Sequence, residues 1–323
     1  MKFLNNKGFA PIFILIAALA VSSTIFLASK QALIAPNSQI STPVPTSTPE
    51  PTMTPTVTPS ATPSAKPTPK PSVSPTSVPT PTPAPVVVNN APPGSGYSVQ
   101  TVSADGQNYK VAIVAADLNS TKVIVDTASE GDCANNCPAL SLGDYASRSG
   151  AYAGINGSYF CPPDYPSCAG KTNSFDTLVM NKNKVYFNSG NNIYSTVPAA
   201  IFSQGSARFV SQSSEWGRDT GVDSVIANYP LLVRGGNINF TEAPNEPKFG
   251  GKAARTFIAS KGNMVYIGIV YNASMGESAK VLHAMGMGEA LNLDQGGSTA
   301  LWHGGYKAGP GRSLPNAILF VQR

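Results

Sequence analysis

Charged side chains are scarce in this sequence, at 12% of 323 residues, and the formal net charge is only +5. Part of that charge sits at Lys2, Lys7, Lys30, Lys66 and Lys70, ahead of the outer domain that begins near residue 94. No basic stripe with interleaved aromatics occurs, which excludes the usual footprint of a nucleic-acid binder. Histidine is rarer still, with only His283 and His303. Neither follows a late acid in the order that a serine hydrolase needs, so the "GGSTA" stretch at 296–300 lacks the rest of a Ser-His-Asp triad. That elbow also requires a helix straight after the serine, whereas "TALWHGGYK" reads as a strand and a turn. Helical periodicity is sparse as well. Cysteine is limited to Cys133, Cys137, Cys161 and Cys168.

One long apolar run is present. Lys2 and Lys7 precede residues 8–28, a stretch long enough to cross about 30 Å of hydrocarbon as a helix. A cleavable signal has a shorter apolar region, so the expectation is an uncleaved anchor with its positive end inside. Cleavage near Ala28 or Ala35 is the alternative. "KGFAPIFILI" also resembles a prepilin leader, but Phe13 stands where that leader has an acid. A long pilin helix is moreover incompatible with the prolines from Pro36 onward.

Most of the 29 prolines fall between Thr42 and Pro93, in Thr-Pro and Ser-Pro repeats such as "PTPTPAP". Proline donates no backbone hydrogen bond, and few apolar side chains accompany it, so no core can form there. The expected structure is a polyproline-II-rich stalk, with a reach on the order of 150 Å if fully extended. Its Ser and Thr residues suit O-glycosylation. The chain thus divides into an anchor or signal at 1–30, a Pro/Thr/Ser-rich linker at 31–93 and one outer domain at 94–323. An even number of cysteines in an exported domain points to two disulfides, local pairing (133–137 and 161–168) being the simplest of three arrangements. The spacings do not match the close pairs of structural zinc sites, so no metal is expected.

Strand signals dominate the outer domain. "YKVAIVAADL", "TKVIVDTA", "NMVYIGIVY", "ALNL" and "AILFVQ" are rich in Val and Ile, and "KNKVYF" and "GGNINF" read as short strands. Two helices are expected, "LGDYASRSG" ending near Gly150 and "MGESAKVLHAMG" capped by Gly286. The fold class is α+β: a β-rich single domain with few helices.

The sharpest local feature is "ALNLDQGGSTALW". Asp294 closes a strand, Gly296 and Gly297 allow close backbone approach, and Ser298 and Thr299 add hydroxyls. This suits a carboxylate beside a phosphate or sugar, although a capped glycine turn is the plainer reading. "AYAGINGSYF" places Asn156 and Gly157 in a turn ahead of Tyr159 and Phe160. "GKAARTFIAS" sets Arg255 at the start of a strand, and arginine is well shaped for bidentate phosphate contact. Arg312 and Asn316 precede the last strand. Taken singly, these are a hairpin, a surface arginine and loop residues.

In order, "INGSYF", "ARTFIA", "LNLDQGGST" and "GRSLPNAI" resemble the phosphodiester glycosidase family, whose usual motifs are close to G-V-N-G-G-Y-F, P-R-T-A-I-G, N-L-D-G-G-G-S and R-x-V-P-N-A. The resemblance spans about Val111 to Gln322. "NYPLLVRGGNI" and "FDTLVMNKNKV" resemble flanking segments of the family. This chain departs from the pattern at Gln295, where the first glycine of the triple is usual, and at Ser158, Ala254 and Ala259.

The resemblance implies an enzyme without cofactor that hydrolyses a sugar-1-phosphodiester at the sugar–oxygen bond. Asp294 would be nucleophile or base. Arg255, the Gly296 and Gly297 amides and Ser298 would stabilise the departing phosphate. Asn156 and Tyr159 would orient sugar hydroxyls, with Gly157, Thr299, Arg312 and Asn316 completing the substrate site. Asp176 and Glu289 are possible second carboxylates. The partner would be a phosphosugar or glycan of the envelope or exterior, with the membrane held through residues 8–28. A non-catalytic envelope glycan-binding or exopolysaccharide-related module is the rival class.

Overall fold

The computed structural model describes residues 86–188, 190, 196–243 and 247–323. The expected membrane helix, and the linker up to residue 85, lie outside the described residues. Among the described residues no helix is long and apolar enough to cross a membrane.

These residues form a β-rich fold with three α-helices. In chain order the first half contains β1 (Gly96–Ala104), β2 (Gln107–Asp117), β3 (Thr121–Thr127), α1 (Leu142–Ser149), β4 (Ala153–Asn156), β5 (Val179–Met180), β6 (Tyr186–Phe187), β7 (Ala199–Ser203), β8 (Ser206–Val210) and β9 (Ser224–Ala227). The second half contains β10 (Leu231–Arg234), β11 (Asn237–Ile238), α2 (Pro247–Gly250), β12 (Ala253–Lys261), β13 (Met264–Ala273), α3 (Met275–Ala284), β14 (Glu289–Asn292), β15 (Leu301–His303), β16 (Tyr306–Ala308) and β17 (Asn316–Gln322). Three sheets result, in the orders β1-β2-β13-β12-β14-β10-β11, β16-β15-β4-β17-β3 and β6-β5-β9-β7-β8.

The unbroken apolar run of β2 has a physical explanation. Successive strand residues point to opposite faces, and here both faces are covered. Ala112, Val114 and Ala116 pack with Val123, Val125, Ile155, Ile318 and Phe320 of the second sheet, and with Ala200 and Ile226 of the third. Val111, Ile113 and Ala115 pack instead under α3, against Met275, Ala279 and Leu282. The large sheet is therefore the central layer of the domain.

Both expected helices form, for the expected reasons. Ser141 caps α1 by accepting from the Asp144 N–H, and Gly150 ends it at φ 61°. A capping box between Ser274 and Glu277 starts α3, and Gly286 at φ 72° follows its C-cap. The two disulfides are the local pairs, Cys133–Cys137 and Cys161–Cys168. Two bridges fit a domain that matures in an oxidising compartment.

Sheet topology places Asp294 at a seam. β14 pairs with β12 in the large sheet, Phe257 opposite Asn292. Immediately afterwards the chain leaves that sheet. The Leu293 N–H still bonds the Thr256 carbonyl, but the Asp294 N–H bonds the carbonyl of Gly157, just past the end of β4 in the second sheet. The Asp294 loop is thus tied to two sheets at once.

Candidate active site

Asp294 lies on the wall of a cleft of about 650 Å³, with Tyr159, Arg255, Gln295, Gly296, Ser298 and Arg312 around it. Lys171, Lys248, Lys252 and Asp176 line the same cleft, as do Tyr165, Tyr229 and the Cys161–Cys168 bridge. The cleft is therefore rich in cations and has two carboxylates.

The Asp294 carboxyl is pushed up to about 6, mainly because burial disfavours its charged form. Hydrogen bonds from Ser298 and the Gln295 N–H, the latter at 2.8 Å, and the charge of Arg312 oppose the rise, while Asp176 adds to it. A carboxyl with this environment is ionised at neutral pH and half-protonated near pH 6. If turnover needs the carboxylate, kcat/KM should rise with pH through about 6 and level off above 7. A flat profile from pH 5 to 8 on a stable enzyme would exclude Asp294 as the ionising group.

The "ING" and "PNA" segments turn out to be a framework under this carboxylate. Asn156 is fully buried, and its Nδ2 donates to the Asp294 carbonyl at 2.6 Å while its Oδ1 accepts from the Ala300 N–H at 3.2 Å. Its expected role at sugar hydroxyls gives way to that of a strut. Gly157 is a glycine because a Cβ there would lie 1.7 Å from the Asn316 Oδ1. Asn316 is buried too, with Oδ1 accepting from the Ser158 N–H at 2.9 Å and Nδ2 donating to the Ser158 hydroxyl at 3.2 Å. Gly157 and Asn316 therefore fix the loop and do not line the cleft. Thr299 does not line it either, its hydroxyl being buried without a partner.

Tyr159 does line the cleft. Its hydroxyl accepts from Asn292 Nδ2 at 2.8 Å, and burial, followed by the charge of Asp294, pushes its pKa up and so disfavours its ionised form. Asn292 and Asn228 were not singled out by sequence. Asn228 accepts from the Tyr159 N–H at 3.0 Å and donates to the Asn292 carbonyl at 2.9 Å. Both read as ordinary strand-end asparagines, and only the fold brings them under Tyr159.

Arg255 faces a different task from the one its position suggested. It is 2% exposed. Its Nε donates to the Ala273 carbonyl at 3.0 Å, and its terminal nitrogens donate to the Phe249 carbonyl at 3.1 Å, the Gly251 carbonyl and the Gln295 Oε1. The side chain mainly holds the cleft wall together. Arg312 is the more available cation. Its Nε is buried with no protein partner, and its NH2 lies 3.3 Å from the Asp164 carboxylate. The guanidinium lies across the loop so closely that a Cβ on Gly297 would sit 2.3 Å from NH2. Gly297 thus makes room for Arg312, whereas Gly296, at φ 65°, lines the cleft itself.

Of the two further carboxylates, Asp176 lines the cleft, and partial burial pushes its pKa up against the opposing charges of Lys171 and Lys248. Glu289 sits at the start of β14, away from Asp294, where its Oε1 accepts from the Gly235 N–H at 3.0 Å. It does not line the cleft. Lys248, which no motif flagged, donates to the Tyr229 hydroxyl at 3.1 Å. Its Nζ lies 5.3, 5.0 and 5.3 Å from the ring centres of Tyr159, Tyr229 and Phe249. Among the described residues no cluster of His, Cys, Asp and Glu could hold a metal ion.

The sequence matches the phosphodiester glycosidase family over residues 149–321. Among solved structures, the auto-inhibited catalytic domain of zebrafish N-acetylglucosamine-1-phosphodiester alpha-N-acetylglucosaminidase superposes with a TM-score of 0.55. It is 18% identical and covers 71% of this chain and 83% of its own. A hypothetical protein from Synechocystis superposes with a TM-score of 0.50 at 13% identity, covering 70% of this chain. The present chain spans 62% of that protein's length. At such identities these likenesses concern the fold. No curated protein matches the chain.

Proposed function

Because the chain belongs to the phosphodiester glycosidase family and is a hydrolase of that kind, we propose that it cleaves sugar-1-phosphodiesters of an envelope or extracellular glycan at the glycosidic C–O bond. One observation carries the reading: a carboxylate ionised at neutral pH faces a cleft whose other charged groups are mostly cations.

The chemistry follows from the leaving group. An ordinary glycoside expels an alkoxide and needs a general acid. A phosphodiester expels a phosphate monoester, already a stable anion, so electrostatic stabilisation can replace protonation. Arg312 beside Asp294 supplies that stabilisation, and the Gly296 amide and Ser298 border the same space. The Asp294 carboxylate acts at the anomeric carbon, as nucleophile or as the base for an attacking water. Tyr159 orients the sugar. Asp176 is the second carboxylate of the cleft, available to activate water. The zebrafish relative's name makes N-acetylglucosamine the first sugar to try.

The test is a panel of sugar-1-phosphodiesters incubated with the full chain, with both products identified. Release of free sugar and an intact phosphate monoester supports the proposal. Binding of a glycan without turnover of any member would make the protein a binding module instead.

The disulfides and the N-terminal sequence support an extracytoplasmic domain held by residues 8–28 at the end of a stalk. Fractionated cells should carry the protein in the membrane, and protease added to intact spheroplasts should remove the domain. A protease-protected soluble protein would contradict this placement.

A further inference from the structure

Gln295 stands where the resemblance expects glycine, and the structure gives it two bonds that no glycine could both make. Its backbone N–H donates to the Asp294 carboxylate at 2.8 Å. Its side-chain Oε1 accepts from Arg255 NH1. A guanidinium has donors and no acceptor, so the amide is held one way round, oxygen toward Arg255. The Nε2 donors then point away from Arg255. Among the described residues they have no protein acceptor, and Gln295 lines the cleft beside Asp294.

Arg255 itself has little left to offer. Four of its five N–H groups are committed, to Ala273, Phe249, Gly251 and Gln295. A bidentate grip on a phosphate needs two parallel N–H groups from one fork. With both NH2 hydrogens and the Nε hydrogen spent on carbonyls, neither edge of the fork can supply them. The charge of Arg255 reaches the cleft mainly by polarising the amide hydrogen-bonded to it.

We propose that Gln295 is a specificity-determining residue, whose side-chain NH2, oriented by Arg255, donates to a non-bridging phosphoryl oxygen of the substrate. The assignment rests on the proposed action on sugar phosphodiesters. It replaces the direct Arg255–phosphate contact expected from sequence with a relay from Arg255 through Gln295 to phosphate. Arg312 then grips the phosphate directly, and Gln295 supplies a neutral donor of fixed direction. A neutral donor discriminates: it favours a phosphoryl oxygen while adding no charge that would attract a carboxylate or sulfate without regard to geometry. The side chain also takes up room that a glycine would leave open, which narrows the cleft next to the reacting carbon.

Two variants test the relay. Gln295→Glu keeps the size and the bond to Arg255 but presents a second oxygen to the phosphate in place of NH2. Gln295→Met keeps the length and removes both the acceptor for Arg255 and the donor to phosphate, leaving the backbone bond to Asp294 in place. Each full-chain variant is first compared with the wild type by thermal unfolding, then titrated with N-acetylglucosamine 1-phosphate and, separately, with free N-acetylglucosamine. The expected result is an affinity for the sugar phosphate weakened by about tenfold or more in Gln295→Glu and by severalfold in Gln295→Met, with the free sugar unaffected. Sugar-phosphate affinities within about twofold of wild type in a folded variant, equal losses for the free sugar, or no binding of the sugar phosphate by the wild type would each overturn the assignment. Titration does not depend on turnover. A chain that binds sugar phosphate through Gln295 yet hydrolyses no phosphodiester would remove the proposed function and leave this residue's role intact. A true phosphodiester glycosidase whose Gln295 variants bind normally would do the reverse.

Discussion

Asp294→Asn is expected to lose turnover by about 10²–10⁴-fold and, at the same time, to unfold at a higher temperature than the wild type. The first effect follows from removing the carboxylate proposed to act at the sugar carbon. The second follows from the energetics of the same group. In the folded protein the carboxyl titrates near 6, above its usual 3.8, because burial penalises the charge. Between those two values the folded state holds a proton that the unfolded state has released, so stability falls as pH rises through this window. Above pH 6 the whole cost is present. A rise of about two units corresponds to roughly 2–3 kcal/mol. An asparagine bears no charge to desolvate, but its amide replaces one of the oxygens that accept from Ser298 and Gln295. Losing part of that network leaves a net gain of about 1 kcal/mol at pH 7.5, or roughly 2–4 °C for a domain of this size. The gain should shrink toward pH 4.5, where the wild-type carboxyl is already protonated. Paired measurements of turnover and thermal unfolding at the two pH values check this. Wild-type turnover in a folded variant would remove Asp294 from the chemistry, and a lower melting temperature at both pH values would contradict the desolvation argument.

Arg255→Lys should act mainly on stability, with a secondary loss of phosphate binding. Three carbonyls, the buried one of Ala273 and the partly buried ones of Phe249 and Gly251, and the Gln295 amide all accept from the one guanidinium. An ammonium has three donors at a single point and cannot span acceptors on opposite sides of a planar fork. At least one of these carbonyls is then left unpaired beside a poorly solvated charge, at a cost of about 3 kcal/mol. For a domain of this size that is a drop of roughly 6–12 °C in melting temperature. Gln295 also loses its fixed orientation, so KM should rise while kcat changes less. Thermal unfolding and steady-state kinetics on the same preparation separate the two roles. An unchanged melting temperature with a large rise in KM would return Arg255 to the role of direct phosphate clamp.

Much of this protein could be read locally, because the signals are local. Ser141 and Gly150 bracket α1, and Ser274, Glu277 and Gly286 bracket α3, through bonds that span only a few residues. The long strands β2, β3, β13 and β17 announce themselves by Val and Ile. Cysteines four and seven residues apart pair with each other. The motif around Asp294 marks the site. The strands β7, β8 and β9 escaped the sequence reading, since "AAIFS", "SARFV" and "SVIA" are short and rich in Ala and Ser. What makes them strands is their pairing with one another and their burial under the large sheet.

Side-chain roles belonged to the tertiary structure, because a role depends on which partner arrives from elsewhere in the chain. Asn156 and Asp294 are 138 residues apart, yet the seam between two sheets joins them, turning an expected sugar ligand into a strut. Glu289 and Asp294 are five residues apart, but Glu289 opens β14 and Asp294 lies just past its end, so that of the two only Asp294 reaches the cleft. Arg255 looked free to clamp phosphate until the backbone of residues 249–251 and 273 closed around it. Sequence by itself pointed to a carboxylate, glycines and arginines gathered in one β-rich domain of this family. The fold decided which of them hold the site together and which face the substrate, because burial and hydrogen-bond partnership are set by contacts that no local window contains.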